Sequence, residues 1–225
     1  MRRSWLTAGE SLAYGEAMLT VHHLNNSRSQ RVLWLLEELE LPYEIVRYER
    51  DRKTMLAPAS LKAVHPLGKS PVLQDGALTL AETGAIVEYL VERHGGGRLK
   101  PVSDSADWPR WLHFVHYAEG SAMPPLLLKL LISRLGLLGR PARPYVDGQL
   151  KLQLDYLEGE LAERAWFAGD FTAADVMMSF PLEASASRAG LTEQAYPRLW
   201  DFQERIHARP AYRRALERGG AYAYA

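Results

Sequence analysis

The stretch His65-Pro66-Leu67-Gly68-Lys69-Ser70-Pro71-Val72-Leu73 decides how this chain is expected to fold. At Pro71 a polar, glycine-containing segment gives way to an apolar run. Pro71-Val72-Leu73-Gln74 then faces Ala77-Leu78-Thr79-Leu80 across Asp75-Gly76, a dipeptide suited to a type I′ turn. That is a hairpin. Upstream, a short helix is expected around Ser60 to Val64, and before it Tyr43 to Tyr48 alternates and is rich in strand formers. Pro42 closes an earlier helix with apolar Val32, Leu35, Leu36 and Leu39, and Leu19 to Leu24 forms a first strand ending in Asn25-Asn26-Ser27. Downstream, Ile86, Val87, Leu90 and Val91 give a helical face that ends at His94-Gly95-Gly96-Gly97, where glycine supplies a left-handed cap. The expected order is βαβαββα.

From Trp108 the pattern changes to long helical segments, roughly Trp108 to Leu135, Pro144 to Arg164, Ala173 to Ala189 and Tyr196 to Arg218. Met123-Pro124-Pro125 and Arg140-Pro141-Ala142-Arg143-Pro144 should bend or break the first of these regions, since an interior proline removes a donor and clashes with the preceding turn. Thr172-Ala173-Ala174-Asp175 has capping-box spacing, and Phe171 with Val176 is placed for a hydrophobic staple. The fold class is α/β plus all-α. Residues 1–17 read as an extension, 18–96 as the α/β domain, 97–104 as a Gly- and Pro-containing linker and 105–225 as the helical domain.

Composition narrows the chemistry. The chain has 225 residues, 47% of them hydrophobic, with 27 basic and 27 acidic residues, and its pI is near 7.1. No strong field draws it to nucleic acid or anionic lipid, so a small-molecule or protein partner is expected. It has no cysteine, which excludes a disulfide, a cysteine-ligated metal and attack by a protein thiolate. Any sulfur chemistry must arrive with the substrate. Charged and small residues interrupt the first 18 positions, and no run of ~18 apolar residues follows. Neither a secretory signal nor a membrane span is expected, and the default compartment is the cytoplasm.

The element order, the Lys69-Ser70-Pro71 segment, Glu82-Thr83 opening a helix and Thr172-Ala173-Ala174-Asp175 together resemble the glutathione S-transferases, from about Leu19 to the C-terminus. The resemblance implies a thioredoxin-like domain joined to an all-helical one. It also implies that Pro71 is cis and that Ser70 pairs its backbone N–H and C=O with the cysteinyl unit of glutathione, although an ordinary trans proline opening a strand fits the residues alone. Glu82 would face the γ-glutamyl ammonium, while the Thr83 hydroxyl and N–H would receive the α-carboxylate at a helix N-terminus. Plain capping is the other reading. Lys69 is placed beside the ligand backbone, and Arg52 or Lys53 near the glycyl carboxylate.

A cysteine thiol has a pKa near ~8.5, and lowering it by about two units takes ~2.7 kcal/mol of preferential thiolate stabilisation. One charge-assisted hydrogen bond gives ~1.5–3 kcal/mol and a helix N-terminus ~0.3–1 kcal/mol, so one hydroxyl plus a dipole suffices. In serine-type members that hydroxyl follows the first strand, four residues before an arginine, and Ser27 with Arg31 matches the spacing. Ser27 is the first choice. The segment lacks the proline and cysteine of many such members, and Asn25 or Asn26 could donate an amide N–H instead; all three residues also suit a turn and helix start.

His113, His116, Tyr117 and Glu119 lie on one long helical segment, and His113, His116 and Tyr117 share a face. No third ligand has metal spacing, so no metal is expected. By resemblance His113 and Tyr117 are candidates for an electrophile pocket, with packing as the alternative, and Trp108 and Trp111 read as core or interface aromatics. The implied function is a homodimeric glutathione transferase whose cosubstrate thiolate attacks a small apolar electrophile. The similarity is greatest to fungal and bacterial serine- or asparagine-type, theta-like members that also reduce organic hydroperoxides as part of detoxification. Two rivals stay open: a glutathione-dependent isomerase, for which Arg110 would be a cation, and a non-catalytic binding protein on the same fold.

Overall fold

A computed structural model describes residues 18–224, so the expected extension over 1–17 lies outside the described residues. The α/β part contains β1 (Leu19–Leu24), α1 (Ser29–Glu38), β2 (Tyr43–Tyr48), α2 (Ala59–Val64), β3 (Val72–Asp75), β4 (Leu78–Ala81) and α3 (Thr83–Arg93). Its sheet has the order β2-β1-β3-β4, with β1 parallel to β2 and antiparallel to β3. This is the expected βαβαββα order. Because β1 is central, five of its six residues are buried, and their sequence is correspondingly apolar apart from His22 and His23. The hairpin loop is Gly76-Ala77, since Asp75 pairs with Leu78. Only Gly76 (φ 56°) has positive φ there, which excludes the type I′ turn, a turn that needs positive φ at both central residues.

The helical part contains α4 (Trp108–Tyr117), a π-helical segment (Ala118–Ala122), α5 (Met123–Arg134), a short 3₁₀ turn (Arg140–Ala142), α6 (Arg143–Glu160), α7 (Ala173–Arg188), α8 (Pro197–His207) and α9 (Pro210–Gly219). Pro124 and Pro125 do not break the chain. They fall in the first turn of α5, directly after the π segment, so their missing donors and ring clashes fall where the backbone has already left α-helical register. The segment expected as one helix from Tyr196 to Arg218 is two, because Pro210 holds Arg209 extended (φ −68°, ψ 132°).

One core runs through both parts: Trp34, Leu33, Leu36 and Ile86 of the α/β unit are packed in the same cluster as Phe114, Phe167 and Phe202 of the helical one. α1 is the hinge of this packing, with nine of its ten residues buried. The ion pairs Glu37–Arg214 (2.8 Å), Glu37–Arg218 (2.9 Å) and Glu38–Arg209 (2.6 Å) tie it to the chain's last helical stretch.

The capping box is present: Thr172 Oγ1 accepts from Ala174 N (3.3 Å), and Asp175 accepts from Thr172 N (2.8 Å) and Phe167 N (2.9 Å). Burial pushes the Asp175 carboxyl up to about 7, against the pull of these donors. Phe171 packs on Trp34 (5.7 Å between ring centroids) and beneath the Arg209 guanidinium (3.6 Å). Thr172→Ala is expected to lower the unfolding free energy by about 1 kcal/mol, read as an earlier urea midpoint.

Candidate functional site

Three chain segments leave the sheet at the same end. His22 pairs with Val72 and Val72 with Ala81, so Ser70-Pro71 and Glu82-Thr83 lie just past one end of the β3–β4 ladder, beside the residues that follow Leu24. The Ser70-Pro71 peptide is cis. Ser70 Oγ donates to the His22 carbonyl (2.8 Å) and accepts from Leu24 N (3.1 Å), which fastens the cis-proline turn to β1. The backbone N–H and C=O of Ser70 have no hydrogen bond among the described residues. An edge with both groups free is what an extended peptide needs in order to add itself as a strand.

Next to this edge, α3 begins without a cap. Its N-cap residue is Glu82, which is exposed, has φ 72° and makes no side-chain capping bond. A non-glycine residue at that φ carries about 1–3 kcal/mol of backbone strain, which turns the chain sharply from β4 into the helix. Thr83 is buried, yet its hydroxyl makes no hydrogen bond among the described residues. The Thr172 hydroxyl, by contrast, caps its own helix by accepting from Ala174 N. Bare N–H groups and the helix dipole there favour an anion.

The β1–α1 turn carries the thiol candidates. Ser27 is buried, its Oγ lies 2.7 Å from Ser29 Oγ, and Ser29 Oγ lies 2.8 Å from His23 Nδ1. Burial, aided by the Arg47 charge, pushes the His23 imidazole down to about 4, so it is neutral near pH 7. Asn25 Oδ1 accepts from Arg50 N (3.0 Å) and Asn26 Oδ1 from Ala223 N (2.7 Å), which leaves both amide nitrogens without a partner among the described residues. Asn26 also has positive φ (49°), as a tight turn requires. Sequence reasoning missed His23 and Ser29 as a unit, because nothing in the spacing says that a strand histidine meets a helix-start serine.

The basic candidates Lys69, Arg52 and Lys53 are exposed and their side chains make no hydrogen bond or ion pair among the described residues; Lys53 gives its backbone N–H to Asp51 Oδ1 (3.0 Å). Arg50, passed over in the sequence, is the cation that the structure ties to the turn through Asn25. His113 and Tyr117 do meet, with ring centroids 5.2 Å apart, but they face α6, where His113 Nε2 contacts Tyr156 OH (3.1 Å) and Tyr117 donates to Gln153. The aromatic residues that reach the β1–α1 turn are instead Phe180, which lies under Arg28 (5.5 Å) and against Tyr224 (5.6 Å), and Tyr222, whose hydroxyl binds Glu183 (2.5 Å). Only the aromatic pattern of Tyr222-Ala223-Tyr224 hinted at this cluster. Arg110 is committed to Glu160 (2.5 Å) and the Phe167 carbonyl (3.1 Å), so it offers no free cation for an isomerase. Among the described residues no group of three metal-ligating side chains forms a metal site.

A strand edge opened by a cis-proline on a four-stranded βαβαββα sheet, with an all-helical unit behind it, defines a thioredoxin-like scaffold of the glutathione-transferase fold. Residues 17–92 match the family model for the glutathione S-transferase N-terminal domain, and residues 138–210 match that for its C-terminal domain. Glutathione S-transferase 3 of Schizosaccharomyces pombe is 37% identical over 215 residues, which is 89% of this chain and 88% of that protein. A glutathione S-transferase structure from Actinobacillus pleuropneumoniae superposes with a TM-score of 0.83 at 36% identity, covering 92% of this chain and 95% of that one. A sphingomonad glutathione S-transferase complexed with glutathione gives 0.72 at 25% identity, over 89% and 98% of the two chains. The chain belongs to the glutathione S-transferase family and is an enzyme of that class.

Proposed function

We propose that the protein binds glutathione along the Ser70 edge, lowers the pKa of its thiol and directs the thiolate sulfur onto the electrophilic atom of a small apolar cosubstrate. The observation that carries this reading is the unpaired Ser70 backbone beside the uncapped start of α3. The cysteinyl backbone pairs with Ser70, the γ-glutamyl carboxylate takes the Thr83 hydroxyl and N–H, and the ammonium faces Glu82. Lys69 lies beside the ligand backbone, and Arg52 or Lys53 serves the glycyl carboxylate. That pose brings the thiol to the β1–α1 turn, where Ser27, Asn25 and Asn26 are the candidate groups to stabilise the thiolate. The wall of Phe180, Tyr222 and Tyr224 supplies the apolar side of the pocket, in place of His113 and Tyr117.

The same thiolate supports hydroperoxide reduction, in which two glutathiones give one disulfide while the hydroperoxide becomes an alcohol and water. Conjugation and this reaction differ in the second substrate and not in the activated group. The protein works as a homodimer on this reading. The glutathione-bound sphingomonad relative supports the choice of ligand.

Ultraviolet titration of the bound thiol tests the reading. In the unmodified protein its pKa is expected below the solution value of ~8.5, and Ser27→Ala is expected to raise it by about one unit with glutathione affinity nearly unchanged. A rise confined to Asn25→Ala or Asn26→Ala transfers the role to that residue. If no protein in the set lowers the thiol pKa, the activation mechanism is wrong.

A further inference from the structure

A buried chain of polar groups runs from α9 through His23 and Ser29 to Ser27, and its direction can be worked out group by group. His23 is 4% exposed on β1, opposite Arg47 of β2, the charged group that faces it. Its Nε2 is turned toward Gly219 at the C-terminal end of α9, where an added Cβ would lie 3.6 Å from it, and the unpaired carbonyls of a helix end favour a proton on that nitrogen. In the neutral ring Nδ1 is then an acceptor. Ser29 has one hydroxyl proton, which goes to Nδ1 across 2.8 Å in preference to the more distant Leu24 carbonyl at 3.4 Å. The 2.7 Å contact between the two serines must therefore be donated by Ser27. Leu24 N fills the remaining acceptor position of Ser29 (3.3 Å), and Ser29 N donates to Ser27 Oγ (3.3 Å).

We propose that His23 and Ser29 are positioning residues that hold the Ser27 hydroxyl proton inward, so that Ser27 meets a glutathione thiol with its lone pairs and gives its proton to the thiolate only by parting from Ser29. The proposal rests on the reading of Ser27 as the group that faces the thiol. A proton shuttle would use the same atoms: the thiol proton to Ser27, that of Ser27 to Ser29, and that of Ser29 to Nδ1. Magnitudes decide against it. Moving a proton from a thiol of pKa ~8.5 to an imidazole at about 4 is disfavoured by roughly four powers of ten. The chain orients a proton and does not store one.

Two variants release the constraint in different ways. Ser29→Ala removes the acceptor of the Ser27 proton, and His23→Leu frees the Ser29 proton to turn toward Ser27, which then donates outward. Both are expected to lower the pKa of bound glutathione by about half to one unit, a change opposite in sign to that of Ser27→Ala. Loss of packing alone would move the unfolding midpoint without lowering that pKa. The experiment is ultraviolet titration of bound glutathione in the unmodified protein, Ser29→Ala, His23→Leu, Ser27→Ala and Ser27→Ala/Ser29→Ala. The double variant should titrate like Ser27→Ala. A thiol pKa in Ser29→Ala and His23→Leu equal to or above that of the unmodified protein, with Ser27→Ala raising it, overturns the orientation proposal and leaves the Ser27 assignment standing. An unshifted Ser27→Ala removes the assignment and the proposal with it. Nitrogen NMR of the imidazoles in the ligand-free protein gives a readout independent of turnover: His23 should be neutral with its proton on Nε2, and a proton on Nδ1 would reverse every bond in the chain and refute the proposal.

Discussion

Glu119→Ala is expected to lower the unfolding free energy by about 3 kcal/mol. The reason lies in its partner. The Arg31 side chain is 1% exposed, its guanidinium donates to the Met177 carbonyl (2.7 Å) and to Glu119, and its Nε has no hydrogen-bond partner among the described residues. Burial lowers the Arg31 pKa and Glu119 works against that, so the carboxylate is what makes the buried cation tolerable. Removing one member of a buried pair costs about 3–5 kcal/mol because the other is left uncompensated. Glu119 is itself 32% exposed, so its removal admits water toward Arg31, which places the loss at the low end.

The same pair predicts an acid limb. Burial alone would raise the Glu119 carboxyl, but Arg31 and Arg28 overcome it and leave the pKa below the usual carboxylate value. A depressed folded pKa means stabilisation present above the unfolded value near ~4.3 and lost as pH falls through the folded one. Urea midpoints of the unmodified protein and Glu119→Ala should therefore converge as pH drops below ~4. Midpoints that stay apart at low pH, or that coincide at pH 7, would show that the pair contributes nothing. Disrupting the exposed Lys151–Asp155 pair is expected to leave the midpoint unchanged.

What could be read from the sequence was local chemistry. Asp75-Gly76 announced a hairpin, Thr172 with Asp175 a capping box and Pro42 a helix end, because each signal spans a few residues and its physics does not depend on the rest of the chain. Pro210 carried an equally local signal and was overridden by the long apolar periodicity around it. The turn type failed for a finer reason: the register begins the loop at Gly76, one position later than the dipeptide suggested. The partners of Arg31 and Ser27 were out of reach. Arg31 meets a residue 88 positions away, and Ser27 meets a serine hydroxyl that in turn meets a histidine of β1. The contacts of His113 and Tyr117 with α6 were likewise out of reach, since facing α6 or facing the β1–α1 turn is a choice of helix packing that three- and four-residue spacing does not contain.

Thr83→Asp separates the two readings of the α3 start by moving stability and affinity in opposite directions. An acidic side chain in the first turn of a helix is favourable by ~0.3–1 kcal/mol, and α3 has no acidic residue in its first turn and no side-chain cap. The unfolding midpoint in urea is thus expected to stay level or rise. In the proposed binding mode glutathione places its α-carboxylate against the same bare N–H groups. Two carboxylates about 4 Å apart at an effective dielectric constant near 20 repel by ~4 kcal/mol, close to three powers of ten in affinity, and solvent and salt screening reduce this. Calorimetry is expected to show glutathione binding weakened at least ~100-fold. Thr83→Val, which removes only the hydroxyl and keeps the shape, should weaken binding by ~10-fold or somewhat more, the loss of one charge-assisted hydrogen bond. If Thr83 served its helix alone, the aspartate would strengthen the helix and leave glutathione affinity intact, and that pair of results would move the γ-glutamyl carboxylate away from α3 altogether.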